Sequence, residues 1–224
     1  MKEITQADRI KRFGLTCTLN DNGVERHFYC GHEYVEIGGI KWATCNVGAE
    51  KVTDYGKYFA WGEVKGYTAD EVRNGRKYFC WEDYEFSYGA SKYNETDDKA
   101  VLDIIDDAVV AAWGNGWRMP TTEEYIALGE AVNTAWTANY QCSGVAGLVC
   151  TDKTDESKVL FFPACGFCWN GSVISVGSGG NYWSSSLNSS HVQRAYLLGF
   201  YDSCVGWQND YYRLHGFPVR GVIG

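Results

Sequence analysis

The chain has 224 residues and carries a formal net charge of −8. Hydrophobic residues make up 45% and charged residues 21% of the sequence, which is typical of a folded globular protein and excludes a disordered chain. The acidic balance excludes binding to a nucleic-acid backbone, which needs a patch of Lys and Arg. No apolar run is long enough for insertion into a membrane.

The N-terminal segment MKEITQADRIKRFGL is too polar for a cleaved signal peptide. We therefore expect the protein to be cytoplasmic, unless another component attaches it to a phage particle or a cell surface. Residues 1–33 are irregular, apart from a predicted short strand at 15–19 and a turn at 20–23, and we interpret them as an N-terminal extension. The domain itself is expected to occupy residues 34–224.

Short strands are predicted at the start of this domain. The stretch YVEIGGIKWATCNVG (34–48) is rich in residues that favour strands and is interrupted by Gly38-Gly39, which predicts two strands joined by a turn. GKYFAWGE (56–63) predicts another strand. Residues 64–95 show no clear period and are expected to form long loops.

Two helices are predicted in the middle of the chain. The segment 97–114 carries an apolar stripe at helical spacing, formed by Val101, Ile104, Ile105, Ala108 and Ala112. The second helix begins at a capping box made by Thr121 and Glu124. Its apolar face consists of Tyr125, Leu128 and Val132. Because the remainder, 145–224, is a series of short strand-like runs separated by turn residues, the predicted fold class is α+β, with two helices packed on short antiparallel strands and many loops.

The sequence contains nine cysteines, so at least one thiol is unpaired within the monomer. Cys165 and Cys168, in PACGFCWNG, have the spacing of a redox or zinc motif. A redox pair would be expected at the start of a helix, and a zinc site would need a second matched pair, yet neither is present. We therefore predict buried, reduced thiols there.

Several stretches, in a fixed order, resemble one known family. They are YVEIGGIKWATCNVGA (34–49), YGKYFAWGE (55–63), AAWGNGWRMPTTEEY (111–125), FFPACG (161–166), NYWSSS (181–186) and GFPVR (216–220). The chain resembles the C-type lectin fold variable proteins of diversity-generating retroelements, a bacterial and phage group abundant in gut Bacteroidales and related to the formylglycine-generating enzyme fold. The resemblance implies a non-enzymatic binding protein that needs no cofactor, with its variable region at about 188–217.

In these systems a reverse transcriptase rewrites adenines of template AAC codons and keeps the third base, so the resemblance implies that variable positions lack Trp, Gln, Lys, Glu and Met. Gln208 is therefore assigned to the constant scaffold. The implied variable, ligand-binding residues are Leu197, Gly199, Tyr201, Asp202, Ser203, Cys204, Gly206, Asn209, Asp210, Tyr211, Tyr212, Leu214 and His215. His191 and Arg194 are expected to flank this surface.

The strand period agrees with this division. In AYLLGFY (195–201), Tyr196, Leu198 and Phe200 point to one side and are expected to face the core, whereas Leu197, Gly199 and Tyr201 point to the other. Tyrosine provides contact area at low entropic cost, so the candidate anchors are Tyr201, Tyr211 and Tyr212. The alternative is that these rings are ordinary half-buried aromatics.

The expected partner is a protein or glycan on a cell surface; the sequence leaves the oligomeric state open. One alternative is an invariant bacterial surface adhesion domain of the same family. An enzyme like the formylglycine-generating relatives is disfavoured, because their Cys-bearing and Arg-rich motifs are absent and the four histidines are dispersed. A calcium-dependent lectin is also disfavoured, since the sequence lacks the Pro-containing partner motif that would complete the metal site.

Overall fold

The computed structural model describes residues 16–21, 24–87 and 89–224. The strands in these ranges are β1 (Thr16–Asp21), β2 (Val24–Tyr29), β3 (His32–Ile37), β4 (Ile40–Asn46), β5 (Val132–Thr137), β6 (Gly147–Asp152), β7 (Val159–Pro163), β8 (Phe167–Trp169), β9 (Ser172–Ile174), β10 (Gly179–Leu187), β11 (Arg194–Tyr201), β12 (Val205–Tyr212) and β13 (Arg220–Ile223). The α-helices are α1 (Ala69–Arg73), α2 (Ala108–Trp113) and α3 (Thr122–Ala131).

The expected α+β domain of the C-type lectin fold, with two helices packed on short strands, is wrong as a fold class. The described chain is mostly β, with about 40% of its residues in strands and 15% in helices. The helical share includes the short 3-10 helices Trp81–Asp83, Ile104–Asp106 and Tyr140–Cys142. Its antiparallel sheets have the orders β1-β2-β3-β4-β13, β5-β6-β7 and β10-β11-β12, and β8 and β9 form a separate hairpin. Fully buried tryptophans, among them Trp42, Trp61, Trp117 and Trp183, fill the core.

The N-terminal strands belong to the first of these sheets. The boundary expected between residues 33 and 34 lies inside β3, and β2 pairs with β3 through residues 27–29, so residues 24–33 do not form a separate extension. The strand predicted at 15–19 corresponds to β1, and the turn predicted at 20–23 lies partly outside the described residues. The predicted turn at Gly38-Gly39 is confirmed, because both glycines have positive φ between β3 and β4.

The helix predicted over 97–114 is wrong for most of its length. The α-helix begins only at Ala108, and the predicted stripe residues Ile104 and Ile105 are 74% and 73% exposed. Asp107 is the physical cause, because its Oδ1 accepts hydrogen bonds from the backbone N–H groups of Val109 (2.8 Å) and Val110 (3.0 Å). This side-chain cap starts a new helix at a point where the periodicity predicts a helix interior.

The second predicted helix is confirmed as α3, together with its capping box. The Thr121 hydroxyl accepts a hydrogen bond from the N–H of Glu124, and the Glu124 carboxylate accepts one from the N–H of Thr121. Its predicted face, Tyr125 and Leu128 with Val132 just beyond the helix end, is buried.

Outcomes elsewhere are mixed. The strand predicted at 56–63 is wrong, because this segment makes only single bridges, from Tyr58 to Tyr67 and from Phe59 to Phe217. The strands predicted after residue 145 are present as β6, β7 and β10–β13.

Cys165 and Cys168 are buried free thiols, as predicted, and burial raises the pKa of Cys165 to about 12.

A buried arginine joins three of the strands. The guanidinium of Arg220, on β13, donates to Asn46 Oδ1 (2.9 Å), to the carbonyls of Ala43 (2.9 Å) and Thr44 (2.8 Å) on β4, and to the carbonyl of Phe161 (3.0 Å) on β7. The side chain is fully buried. Because β13 is the edge strand of the first sheet and β7 belongs to the sheet β5-β6-β7, the buried arginine ties these two sheets together.

Replacing Arg220 by Met removes these hydrogen bonds while keeping much of the side-chain volume. We expect the free energy of unfolding to fall by about 3 kcal/mol or more, because each buried acceptor left unpaired costs roughly 1–3 kcal/mol. Urea denaturation measures the change, and Arg76→Met, at an exposed position, is the matched control. Equal stability of the two variants would contradict this role.

Candidate binding surface

The sheet β10-β11-β12 carries most of the predicted binding residues. β11 lies in the middle and β12 at the edge, with Leu197 opposite Asn209 and Gly199 opposite Gly206. Between these two pairs β12 has one extra residue, which makes a bulge. Trp207 faces α3, where it occupies the space over Gly129, so the helix supports this sheet from behind.

The predicted residues differ in exposure. Those that are exposed are His191, Tyr201, Asp202, Ser203, Cys204, Asn209, Tyr211 and Tyr212; those that are half-buried are Arg194, Gly206 and Asp210; those that are buried are Leu197, Gly199, Leu214 and His215. The outward face expected for the last group is therefore wrong. Tyr196, expected to face the core, is only half-buried.

Both faces of β11 are covered at Leu197, whereas Gly199 is covered by the side chains of Asn209 and Asn181. Leu197 lies opposite Trp183 on β10, and the Trp183 ring packs on Phe217 with ring centroids 4.3 Å apart. The segment that follows β12, which contains Phe217, therefore covers the face of β11 that the alternation pattern predicts to be exposed. Leu214 and His215 belong to this same segment and are enclosed with it.

The three candidate tyrosine anchors do not form one patch. Tyr201 ends β11, whereas Tyr212 pairs with Arg194 at the start of the same strand. Seven residue steps along a strand correspond to roughly 23 Å. The surface is therefore divided into a tip patch, formed by Tyr201–Cys204 and Asn209, and an aromatic cleft that contains Tyr211 and Tyr212.

The tip patch is built over glycines. The Asn209 side chain fills the space beside Gly199 and Gly206, where an added Cβ would lie 2.7 Å and 2.4 Å from its nearest amide atom. The Tyr201 ring lies over Gly179 in the same way, 2.7 Å from a Cβ position. Side chains at positions 199, 206 and 209 thus compete for one volume, so a larger group at one position requires a smaller or displaced group at another.

The aromatic cleft has a volume of about 590 Å³. It is lined by Cys80, Trp81, Glu82, Phe167, Trp169, Asn170, Ile174, Tyr211, Tyr212, Leu214 and His215. The His215 ring stacks with Trp169 at a centroid distance of 6.0 Å and meets Tyr211 edge-on at 4.6 Å. Trp81 meets Tyr212 edge-on at 6.2 Å.

Sequence reasoning missed the walls of this cleft. Trp81 and Glu82 belong to a region expected to be loop, and Phe167 and Trp169 belong to the short hairpin β8–β9. A signal for Trp169 is present, because it precedes Asn170-Gly171, whose positive φ angles of 48° and 72° match a two-residue hairpin turn. An aromatic residue next to such a tight turn is carried to the surface, and Trp169 is exposed.

Asp210 and Arg194 have an internal role. Arg194 Nη1 bonds to Asp210 Oδ1 at 2.9 Å, and its guanidinium lies over the Tyr212 ring at 4.9 Å from the centroid. Asn188 donates to the other carboxylate oxygen of Asp210. These contacts hold the Tyr212 ring against β12. Both carboxylate oxygens of Asp210 already accept hydrogen bonds within the protein, so Asp210 is less available to a ligand than the sequence suggests.

His215 is neutral at physiological pH. Burial lowers its pKa to about 4, opposed in part by the contact between its Nδ1 and the Tyr212 carbonyl at 3.1 Å. A neutral imidazole can pack among aromatic rings without the cost of burying a charge.

Metal-binding groups and membrane-spanning helices can be assessed for the described residues. No group of three or more His, Cys, Asp or Glu side chains within residues 16–21, 24–87 and 89–224 is arranged to hold a metal ion. Among the same residues, no helix is long and apolar enough to cross a membrane. No family model, curated protein or solved structure matches this chain.

The buried His215 predicts a pH dependence of stability. Its pKa is about 6.5 in the unfolded chain and about 4 in the folded protein, so between these values the unfolded state binds more protons and stability falls as the pH falls. We expect wild type to lose about 3 kcal/mol more than His215→Gln between pH 7 and pH 4. Urea denaturation at several pH values measures this, with the exposed His191→Gln as control. Parallel profiles for wild type and His215→Gln would contradict the assignment.

The shared volume at the tip predicts a non-additive pair. Gly206→Ala alone should cost about 1 kcal/mol, a fall in Tm of roughly 2–4 °C, because the new methyl group must displace Asn209. In an Asn209→Ala background the same change should cost nothing. Gly147→Ala is the control, since its Cβ would lie 2.3 Å from the carbonyl oxygen of Phe162 and should destabilise both backgrounds equally. Equal costs of Gly206→Ala in both backgrounds would contradict the shared volume.

Proposed function

We propose that this protein is a non-enzymatic binding protein that holds a protein or glycan of a cell surface on β11, β12 and the following turn. The resemblance to variable proteins of diversity-generating retroelements motivates the proposal, and it implies that the residues of this surface are exchanged while the scaffold stays constant.

One observation carries the proposal. Tyr201, Tyr211 and Tyr212 keep 46%, 42% and 40% of their surface exposed although they lie on, or at the end of, strands of a sheet backed by a helix. Rigid, half-exposed tyrosines offer large contact areas and lose little entropy on binding. Interfaces commonly depend on a few such residues.

The second candidate is an invariant adhesion domain with the same surface. The two are distinguished by the DNA around the gene. A near-copy of codons 188–216 with AAC at the variable positions, next to a reverse-transcriptase gene, belongs only to the diversified protein. A gene without that copy belongs to the invariant domain.

Binding to whole cells tests the function directly. Labelled protein is incubated with gut bacteria and with epithelial cells, and bound fluorescence is measured by flow cytometry. We expect Tyr201→Ser, Tyr211→Ser and Tyr212→Ser, combined, to lower the apparent affinity at least about tenfold, a loss on the order of 1.4 kcal/mol. Pretreating the cells with protease or with periodate separates a protein ligand from a glycan.

The control is Ile104→Ser with Ile105→Ser, which removes exposed apolar surface elsewhere. Unchanged binding of the triple variant, or a loss confined to the control, would contradict the proposed surface. A thermal melt accompanies each variant. If the triple variant unfolds much earlier than wild type, the rings are structural, and the single variant Tyr201→Ser then tests whether binding depends on the surface.

A further inference from the structure

The aromatic cleft is lined mainly by aromatic rings. Its rings come from three separate segments: Trp81 from a short 3-10 helix (Trp81–Asp83) between α1 and α2, Trp169 from the β8–β9 hairpin, and Tyr211 and Tyr212 from β12. Trp169 is 48% exposed, so a large part of an indole face is available to a ligand. Aromatic faces carry negative electrostatic potential and attract cations that lie above them.

The charge in the lining is negative, as is the electrostatic potential above the ring faces. Of the described residues that line the cleft, Glu82 is the one that carries a charge at neutral pH. Hydrogen bonds from its own backbone N–H and from the Cys80 thiol lower the pKa of Glu82, which keeps it ionised. His215 contributes no opposing charge, because its imidazole is neutral.

Cations on neighbouring segments are neutralised by their own partners. Lys77 is buried and bonds to Glu63 at 2.9 Å and to the carbonyl of Asp83 at 2.6 Å. Arg194 is paired with Asp210 and lies over the Tyr212 ring. The protein as a whole carries a net charge of −8, which raises the local concentration of cations.

We propose that the aromatic cleft binds a quaternary ammonium group, as found in choline or in trimethylated lysine. Such a group is positively charged but donates no hydrogen bond, so it suits a site with several aromatic faces and one carboxylate. An anionic ligand would meet Glu82 without a paired cation, and a neutral sugar, which bonds to polar side chains such as Asn170, is the competing ligand that the test includes. This inference rests on the proposed binding function and names the chemistry that one part of that surface recognises.

The test compares choline with 3,3-dimethylbutan-1-ol, which has the same shape but no charge. Titrations are followed by tryptophan fluorescence and by NMR of the ligand methyl groups. We expect choline to bind at least about tenfold more tightly than the neutral alcohol, in the range that a cation over several aromatic faces provides. Nε-trimethyllysine in a short peptide forms a second arm, and the tighter of the two cations indicates whether the group comes from a choline headgroup or from a protein.

Variants locate the site. Glu82→Gln should weaken choline binding several-fold and leave the neutral alcohol unchanged, while Trp169→Leu should weaken choline at least about tenfold. Ile104→Ser, at an exposed position outside both the cleft and the proposed binding surface, is the control, and it should have no effect. If Trp169→Leu lowers the thermal melt, Tyr212→Leu replaces it.

Equal affinity of choline and the neutral alcohol, or tighter binding of methyl glucoside than of choline, would overturn the ammonium proposal. So would a loss of choline binding in Ile104→Ser equal to that in Trp169→Leu. The proposed binding function fails separately: it is overturned when cell binding survives the triple tyrosine change, whatever choline does. Loss of cell binding in the triple variant with no preference for choline refutes the ammonium site and leaves the function standing.

Discussion

The structure depends on one buried cation, the guanidinium of Arg220. It bonds to the backbone of β4 and β7 and to Asn46, and its Cζ lies 4.7 Å from the centroid of the Phe162 ring. Asn46 in turn donates to the carbonyl of Tyr55 and to the hydroxyl of Tyr182. A fully buried arginine is stable only when its donors are satisfied, so these partners must assemble together. The last strand, at the edge of the first sheet, is thereby tied to β7 in the sheet formed by the middle part of the chain.

This constraint decides where the surface can vary. Most of the proposed binding residues precede β13 by only a few positions, and the segment that joins them to β13 is fixed at both ends. Arg213 supplies the second attachment: its guanidinium donates to the carbonyls of Tyr93 (3.0 Å) and Phe86 (3.3 Å) and lies over the Trp61 ring. It lies directly after the exposed Tyr211 and Tyr212, so it fixes the end of β12 that carries these two rings. Residues 214–219, between Arg213 and Arg220, are all buried, so the side chains that can change without loosening the fold lie before Arg213.

The sequence predicts the local features well and the non-local ones poorly. The capping box of α3 and the turn at Gly38-Gly39 depend on residues within a few positions of one another, and both are present. The helix expected over 97–114 fails because one side chain, Asp107, competes with the periodic signal. Leu197 fails for a different reason: alternation identifies two faces of a strand but cannot show that Trp183 and Phe217 cover the second one. The cleft walls at Trp81 and Trp169 are likewise brought together only by the fold.

The division of the surface into a tip patch and a cleft limits the kind of ligand that can use all of it. Tyr201 and Tyr212 are separated by roughly 23 Å along β11, a span that a single sugar or a single side chain cannot bridge. The two patches also respond differently to change. At the tip, the Asn209 side chain occupies the space that a side chain at Gly199 or Gly206 would need. In the cleft the rings contact one another, so replacing Tyr211 changes the packing of His215 and, through it, of Trp169. A ligand that engages both patches must therefore be larger than one sugar unit or one side chain, as a protein surface or an oligosaccharide is.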